Sequence, residues 1–190
     1  MNLIEFLIQR QSTPAKYLIE PAPSHEELQQ LVAAAQSAPD HGALKPWRFL
    51  VISGSARYAL GELFVRALLQ RAPHTEPDLL ERERERALRA PMLVAAIARL
   101  DHAHPKVPAT EQLIAAAIAT HQLMLAANHL GYGTIWLTGS RVYDRQVMSG
   151  LGLASEEELI GLINIGTVAP SASSKQPQRR KSDVTYWTGD

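Results

Sequence analysis

Arg10, Gln11 and Ser12 stand together just after a short apolar run. A guanidinium and a hydroxyl two residues apart can both reach one phosphate, the first as a charged donor and the second as a neutral one. On spacing alone the same triplet reads rather as a surface turn. Downstream, SAPDHGALKPWRFLVI (37–52) sets Asp40, His41 and Lys45 at the mouth of a β-rich run. Thr138, Gly139 and Ser140 end another apolar run, where a glycine lets backbone approach a flat ligand closely. Arg179, Arg180 and Lys181 add positive charge near the C-terminus. None of these groups forms an acid–base or nucleophile dyad, so an enzyme built on them needs a cofactor to carry its chemistry.

Other chemistries are weaker or absent. Asp101-His102-Ala103-His104 has loose metal-ligand spacing without a third ligand, and reads as a solvated loop. There is no His-Glu-x-x-His, no Gly-x-Ser-x-Gly and no Walker A sequence. GYGTIW (131–136) has two of the three dinucleotide-fingerprint glycines, but follows a helix and precedes a strand, the reverse of the Rossmann order. The chain lacks cysteine, which removes disulfides, thiolate zinc sites and thiol nucleophiles. Nineteen basic residues balance nineteen acidic ones, which argues against nucleic acid or an anionic membrane as the main partner. The N-terminal run is broken by Glu5 and Gln9 and does not read as a signal peptide, and the apolar stretch Leu113–Ala119 is too short to span a bilayer. A cytoplasmic protein with no membrane segment is expected.

The elements that must position these residues follow from periodicity. Residues 2–9 read as a short helix offering Leu3, Phe6, Leu7 and Ile8 for packing. Ser24-x-x-Glu27 is a capping box that opens a helix ending by Pro39. Residues 48–53 read as a strand, followed by an amphipathic helix carrying Tyr58, Leu60, Leu63, Phe64, Ala67 and Leu68. In LLERERERALRAP, opposite charges recur at i,i+3 (Glu81–Arg84, Glu83–Arg86), the pattern of a solvated face. MLVAAIA (92–98) reads as a fully buried strand, and 111–130 as a helix apolar almost all round, suited to a core or subunit interface. Gly131 is its cap. His121 within it reads as a core or interface histidine. Strands at 134–137 and 159–165, with a helix at 141–150 between them, complete one layered α/β-type domain over residues 1–190. The polar tail from Pro170 carries Val184, Tyr186 and Trp187, which suggests that it lies along a surface.

Taken in order, Arg10-Gln11-Ser12, SAPDHGALKPWRFLVI, Arg89-Ala90-Pro91, GYGTIW, Leu137-Thr138-Gly139 and Ile165-Gly166-Thr167 resemble the nitroreductase family of flavoproteins. The Pro-Asp-His and the short chain resemble its short bacterial YdjA-like subgroup. The resemblance implies an α+β fold, with a mixed central β-sheet among helices and a C-terminal extension along the dimer partner. It implies a homodimer with FMN sites at the interface, one per subunit, and NADH or NADPH as hydride donor to a nitroaromatic, quinone or similar small-molecule acceptor, by ping-pong logic. Arg10 and Ser12 then match phosphate and ribityl ligands, with Gln11 between them. Ser37 and His41 approach FMN from the opposite subunit. Leu137, Thr138 and Gly139 lie against the isoalloxazine ring, and Arg179 or Arg180 completes the phosphate site. Ser37 and Leu137 stand where arginines occur in the subgroup, so positive charge near the flavin is expected to be low, with Lys45 as a candidate to restore it. The same scaffold bearing a non-catalytic flavin-binding or storage protein is the alternative.

Overall fold

MLVAAIAR lies at the centre of a five-stranded sheet in the computed structural model of the chain, which describes residues 2–172 and 184–189. This strand, β3 (Met92–Arg99), is apolar on both faces because helices cover both. Met92, Val94, Ala96 and Ala98 enter one core, and Leu93, Ala95 and Ile97 the other. The first core is closed by α2 (His25–Ala35) and α5 (Ala109–His129), the second by α3 (Ala56–Arg71) and α6 (Arg145–Gly150).

β3 pairs with β2 (Trp47–Ser53) on one edge and β5 (Glu157–Val168) on the other. The far edge of β5 carries β4 (Tyr132–Leu137), while the two-residue β1 (Leu18–Ile19) pairs with Val168 and Thr167 of β5. One row crosses the sheet as Leu50–Ala95–Leu162–Leu137, which fixes Leu137 at the end of an edge strand. All four pairings among the described residues are antiparallel, where the resemblance implied a mixed sheet. The alternation of helices and strands therefore does not make a parallel α/β sheet: the fold is α+β, with a central sheet among helices, as the family resemblance implied.

Most expected elements stand within a few residues of their places, and the capping box opens α2, with Glu27 N–H donating to Ser24 Oγ at 3.2 Å and Ser24 N–H to Glu27 Oε2 at 2.8 Å. Three readings need correction. α1 (Leu3–Gln9) buries none of its residues: Leu3, Ile4 and Ile8 are more than half exposed. Only the last part of 141–150 is helical, starting after the Asp144 N-cap. The charged helix α4 (Pro77–Glu85) is not solvated all round, because Glu83 is buried against Arg141. Tail residues Val184, Tyr186 and Trp187 are exposed on this single chain.

Candidate active site

The Arg10–Ser12 segment leaves α1 at its C-cap and is tied to β4 by Thr13 N–H donating to Thr134 O at 2.9 Å. Phe6 meets the His129 ring edge-on at 5.7 Å, so α1 sits against the end of α5. Desolvation, and then the charge of Arg10, push the His121 imidazole below its ordinary pKa, which places the Arg10 guanidinium near that turn of α5. Neither the Arg10 guanidinium nor the Ser12 hydroxyl has a hydrogen-bond partner among the described residues. Two donors left free beside an edge strand suit a phosphate, which brings its own acceptors.

Ser37 follows α2, its hydroxyl 2.8 Å from Ala34 O and 3.2 Å from Gln122 Oε1. It lines a groove of about 760 Å³ between α1, α2 and α5, with Leu3, Phe6, Leu7 and Leu125. His41 sits in a short 3-10 turn at the other end of α5. Its Nδ1 lies 2.6 Å from Glu111 Oε2, in the first turn of that helix, where a carboxylate also complements the helix dipole. The loop around it is wound tightly: Gly42, Ala43 and Lys45 all have positive φ, and Lys45 N–H donates to Asp40 Oδ2 at 2.5 Å. Non-glycine residues in this region store backbone strain that the surroundings must hold. Pro46 and the buried Trp47 then start β2.

Leu137 ends β4 at 40 % exposure, and Thr138 and Gly139 follow. Gly139 has φ +71°, and a Cβ there would meet only Arg141 Nη1, at 3.5 Å, so its backbone is open to close approach. Leu137 and Thr138 line a small cavity that also holds Arg86, Arg89, Arg141 and Asn164. These four were not legible as site residues. Arg89 stood in the Arg89-Ala90-Pro91 motif without a site role, and the signal in Asn164 was a lone amide in the apolar run LIGLINIG. It is 1 % exposed and its Oδ1 has no hydrogen-bond partner.

The expected site residues of one chain are thus distributed along α5 and β4. Leu137 and Thr138 share a cavity, and Ser37 lines another. On the helix rise, His41 beside Glu111 and Arg10 near His121 sit roughly 15 Å apart along α5. Lys45 lines a different groove, of about 450 Å³, with Asp101, His104 and Glu156. His104 does local work there: its Nδ1 accepts from Val107 N–H at 2.9 Å and Lys106 N–H at 3.3 Å. Arg179, Arg180 and Lys181 lie outside the described residues.

The Nitroreductase family profile matches residues 7–167, a span that includes every site residue named above from Arg10 to Asn164. Among curated proteins, the chain is 32 % identical over 174 residues to "Putative NAD(P)H nitroreductase YdjA" of Escherichia coli (strain K12), covering 92 % of each. It is 34 % identical over 167 residues to a Haemophilus influenzae protein likewise named an NAD(P)H nitroreductase, covering 88 % of this chain and 89 % of the other. Among solved structures, a variant of the "FMN and NADPH-dependent nitroreductase NfnB" from Sphigopyxis sp. strain HMH superposes with a TM-score of 0.78 at 18 % identity, covering 100 % of both chains. On the profile match and these relatives, the chain belongs to the nitroreductase family.

Proposed function

We propose that this protein is an FMN-dependent oxidoreductase that takes hydride from NADH or NADPH and reduces a nitroaromatic, quinone or similar small acceptor, donor and acceptor using one site in turn. The observation that carries the reading is the family match across residues 7–167, which spans the free Arg10 and Ser12 donors and the open Gly139 backbone. Bound FMN supplies the hydride and electron transfer; this chain's residues supply binding, orientation and exclusion of water. Arg10 and Ser12 hold the phosphate, with Gln11 between them. Leu137, Thr138 and Gly139 would hold the flavin ring at an edge-strand terminus, with a backbone N–H there as the donor to it.

Ser37 and His41 serve the site of a second copy of the chain. The exposed apolar residues of α1, the half-exposed Ile114 of α5 and the groove between these helices favour a homodimer, because a patch of this kind is covered in a stable protein. The exposed tail residues Tyr186 and Trp187 favour a C-terminal extension over that partner. Among the described residues no helix is long and apolar enough to cross a membrane, and the reading is of a cytoplasmic enzyme.

The test is a visible spectrum of the purified protein, FMN titration, and anaerobic addition of NADH or NADPH. A yellow protein bleached by the donor and re-oxidised by an acceptor is expected. A protein that stays colourless and binds no FMN overturns the reading, and FMN binding without any donor oxidation leaves the flavin-storage alternative in its place.

A further inference from the structure

The small cavity beyond Leu137 and Thr138 carries an uneven charge. Glu83 is buried, and it pairs with both Arg141 (Nη2–Oε2 2.8 Å) and Arg86 (Nε–Oε2 2.9 Å). Arg141 also lies over the Phe64 ring, its Cζ 5.6 Å from the centroid. Those two arginines are thereby held in place by one shared carboxylate. Arg89 has no hydrogen bond or ion pair with any described residue. Among the described residues, three guanidiniums against one carboxylate leave a net positive cavity whose free cation is Arg89. The remaining lining is apolar (Phe64, Leu93, Leu137, Leu162) apart from Thr138 and the buried Asn164 amide. Asn164 Nδ2 donates one hydrogen to Leu162 O at 3.3 Å and has a second to give. Its Oδ1 is unmet, a position for a bridging water.

A volume of about 40 Å³ admits one small planar group, not a ring. A small recess with an apolar lining, one free guanidinium, one hydroxyl and a buried amide recognises a carboxylate at the end of an aromatic ring that itself stays outside. We propose that this recess is an anion subsite of the acceptor site, taking the carboxylate of an aromatic acceptor, with Arg89 as the residue that selects it. The inference rests on the reading that the flavin ring lies against residues 137–139, next to the recess. It assigns Arg89 a part in specificity, and Glu83 the part of holding Arg86 and Arg141 so that they frame the recess.

The experiment compares the wild type with Arg89→Gln and Arg89→Lys, substitutions at an exposed position that leaves the core intact. One measurement is the ratio of kcat/KM for 4-nitrobenzoate over nitrobenzene; the other is benzoate binding by calorimetry. Arg89→Gln is expected to lower the ratio, and to weaken benzoate binding, about tenfold, the effect of losing one charge-assisted hydrogen bond. Arg89→Lys, which keeps the charge but not the planar fork, should fall between. An unchanged ratio with unchanged benzoate binding overturns the subsite. If the protein binds no FMN, calorimetry still decides: Arg89-dependent benzoate binding keeps the subsite while the flavin reading fails. A flavin-loaded enzyme whose benzoate binding ignores Arg89 sinks the subsite alone.

Discussion

Replacing Glu157 with Gln should unfasten the end of the sheet that carries the His41 loop, and the cost should depend on pH in a defined way. Glu157 is 5 % exposed at the start of β5. Arg48 of β2 clasps it twice, Nε to Oε1 and Nη2 to Oε2, each at 2.6 Å. Ala154 N–H donates to Oε2 at 3.0 Å and Arg99 Nε to Oε1 at 3.1 Å. The Arg48 guanidinium foremost, against the opposing effect of burial and with help from the Ala154 N–H and Arg99, holds the Glu157 carboxyl down to about 2 from an ordinary 4.5. A carboxyl with that difference between folded and unfolded chains contributes about 3 kcal/mol at neutral pH. Because the folded pKa is the lower one, the contribution is complete above the unfolded value and is lost as pH falls through the folded one. Roughly 1 kcal/mol of it is gone by pH 3.5. Urea unfolding of wild type and Glu157→Gln at pH 7, 5 and 3.5, followed by tryptophan fluorescence, isolates the term, since every other carboxylate is common to both. The stability gap should be about 3 kcal/mol at pH 7 and about 2 kcal/mol at pH 3.5. A gap that is the same at all three pH values, or under about 1 kcal/mol at pH 7, would refute the assignment of this stability to the ion pair.

Two further outcomes test the parts that position the site. Gly161→Ala puts a methyl into the Trp136 indole, which donates from Nε1 to Ile160 O at 3.1 Å; overpacking of about 1–3 kcal/mol should lower Tm and loosen β4, read by thermal melts alongside FMN titration. Glu111→Gln breaks a surface pair whose two side chains are 61 % and 47 % exposed, so Tm should move by less than about 2 °C, whereas FMN affinity should fall if His41 orientation matters to the dimeric site, with His41→Ala showing the same loss and no more in the double variant.

Much of this molecule is legible along the chain. The buried strand 92–98, the capping box at Ser24 and the i,i+3 pairs Glu81–Arg84 and Glu83–Arg86 all rest on local periodicity or on neighbours within one turn, and all stand in the structure. So does the Gly131 cap of α5, with φ +92°. The ordered set of short motifs also pointed to the family, whose profile matches residues 7–167.

Tertiary structure decided what long-range pairing alone can decide. Strand direction was not readable from alternating helices and strands, because two helices between β2 and β3 permit either sense. α1 looked like a packing helix from its leucines, yet none of its residues is fully buried in the single chain: Phe6 meets His129, while Leu3, Ile4 and Ile8 stay more than half exposed. Glu83 looked solvated because its i,i+3 neighbour satisfied it; Arg141, distant in sequence, is what buries it. The Arg86, Arg89, Arg141 and Asn164 recess likewise joins three segments that share no sequence spacing. Local sequence fixes conformation over a turn or a strand, where bonds are short-range. Which charge ends free and which ends paired is settled only when the sheet register brings distant segments together.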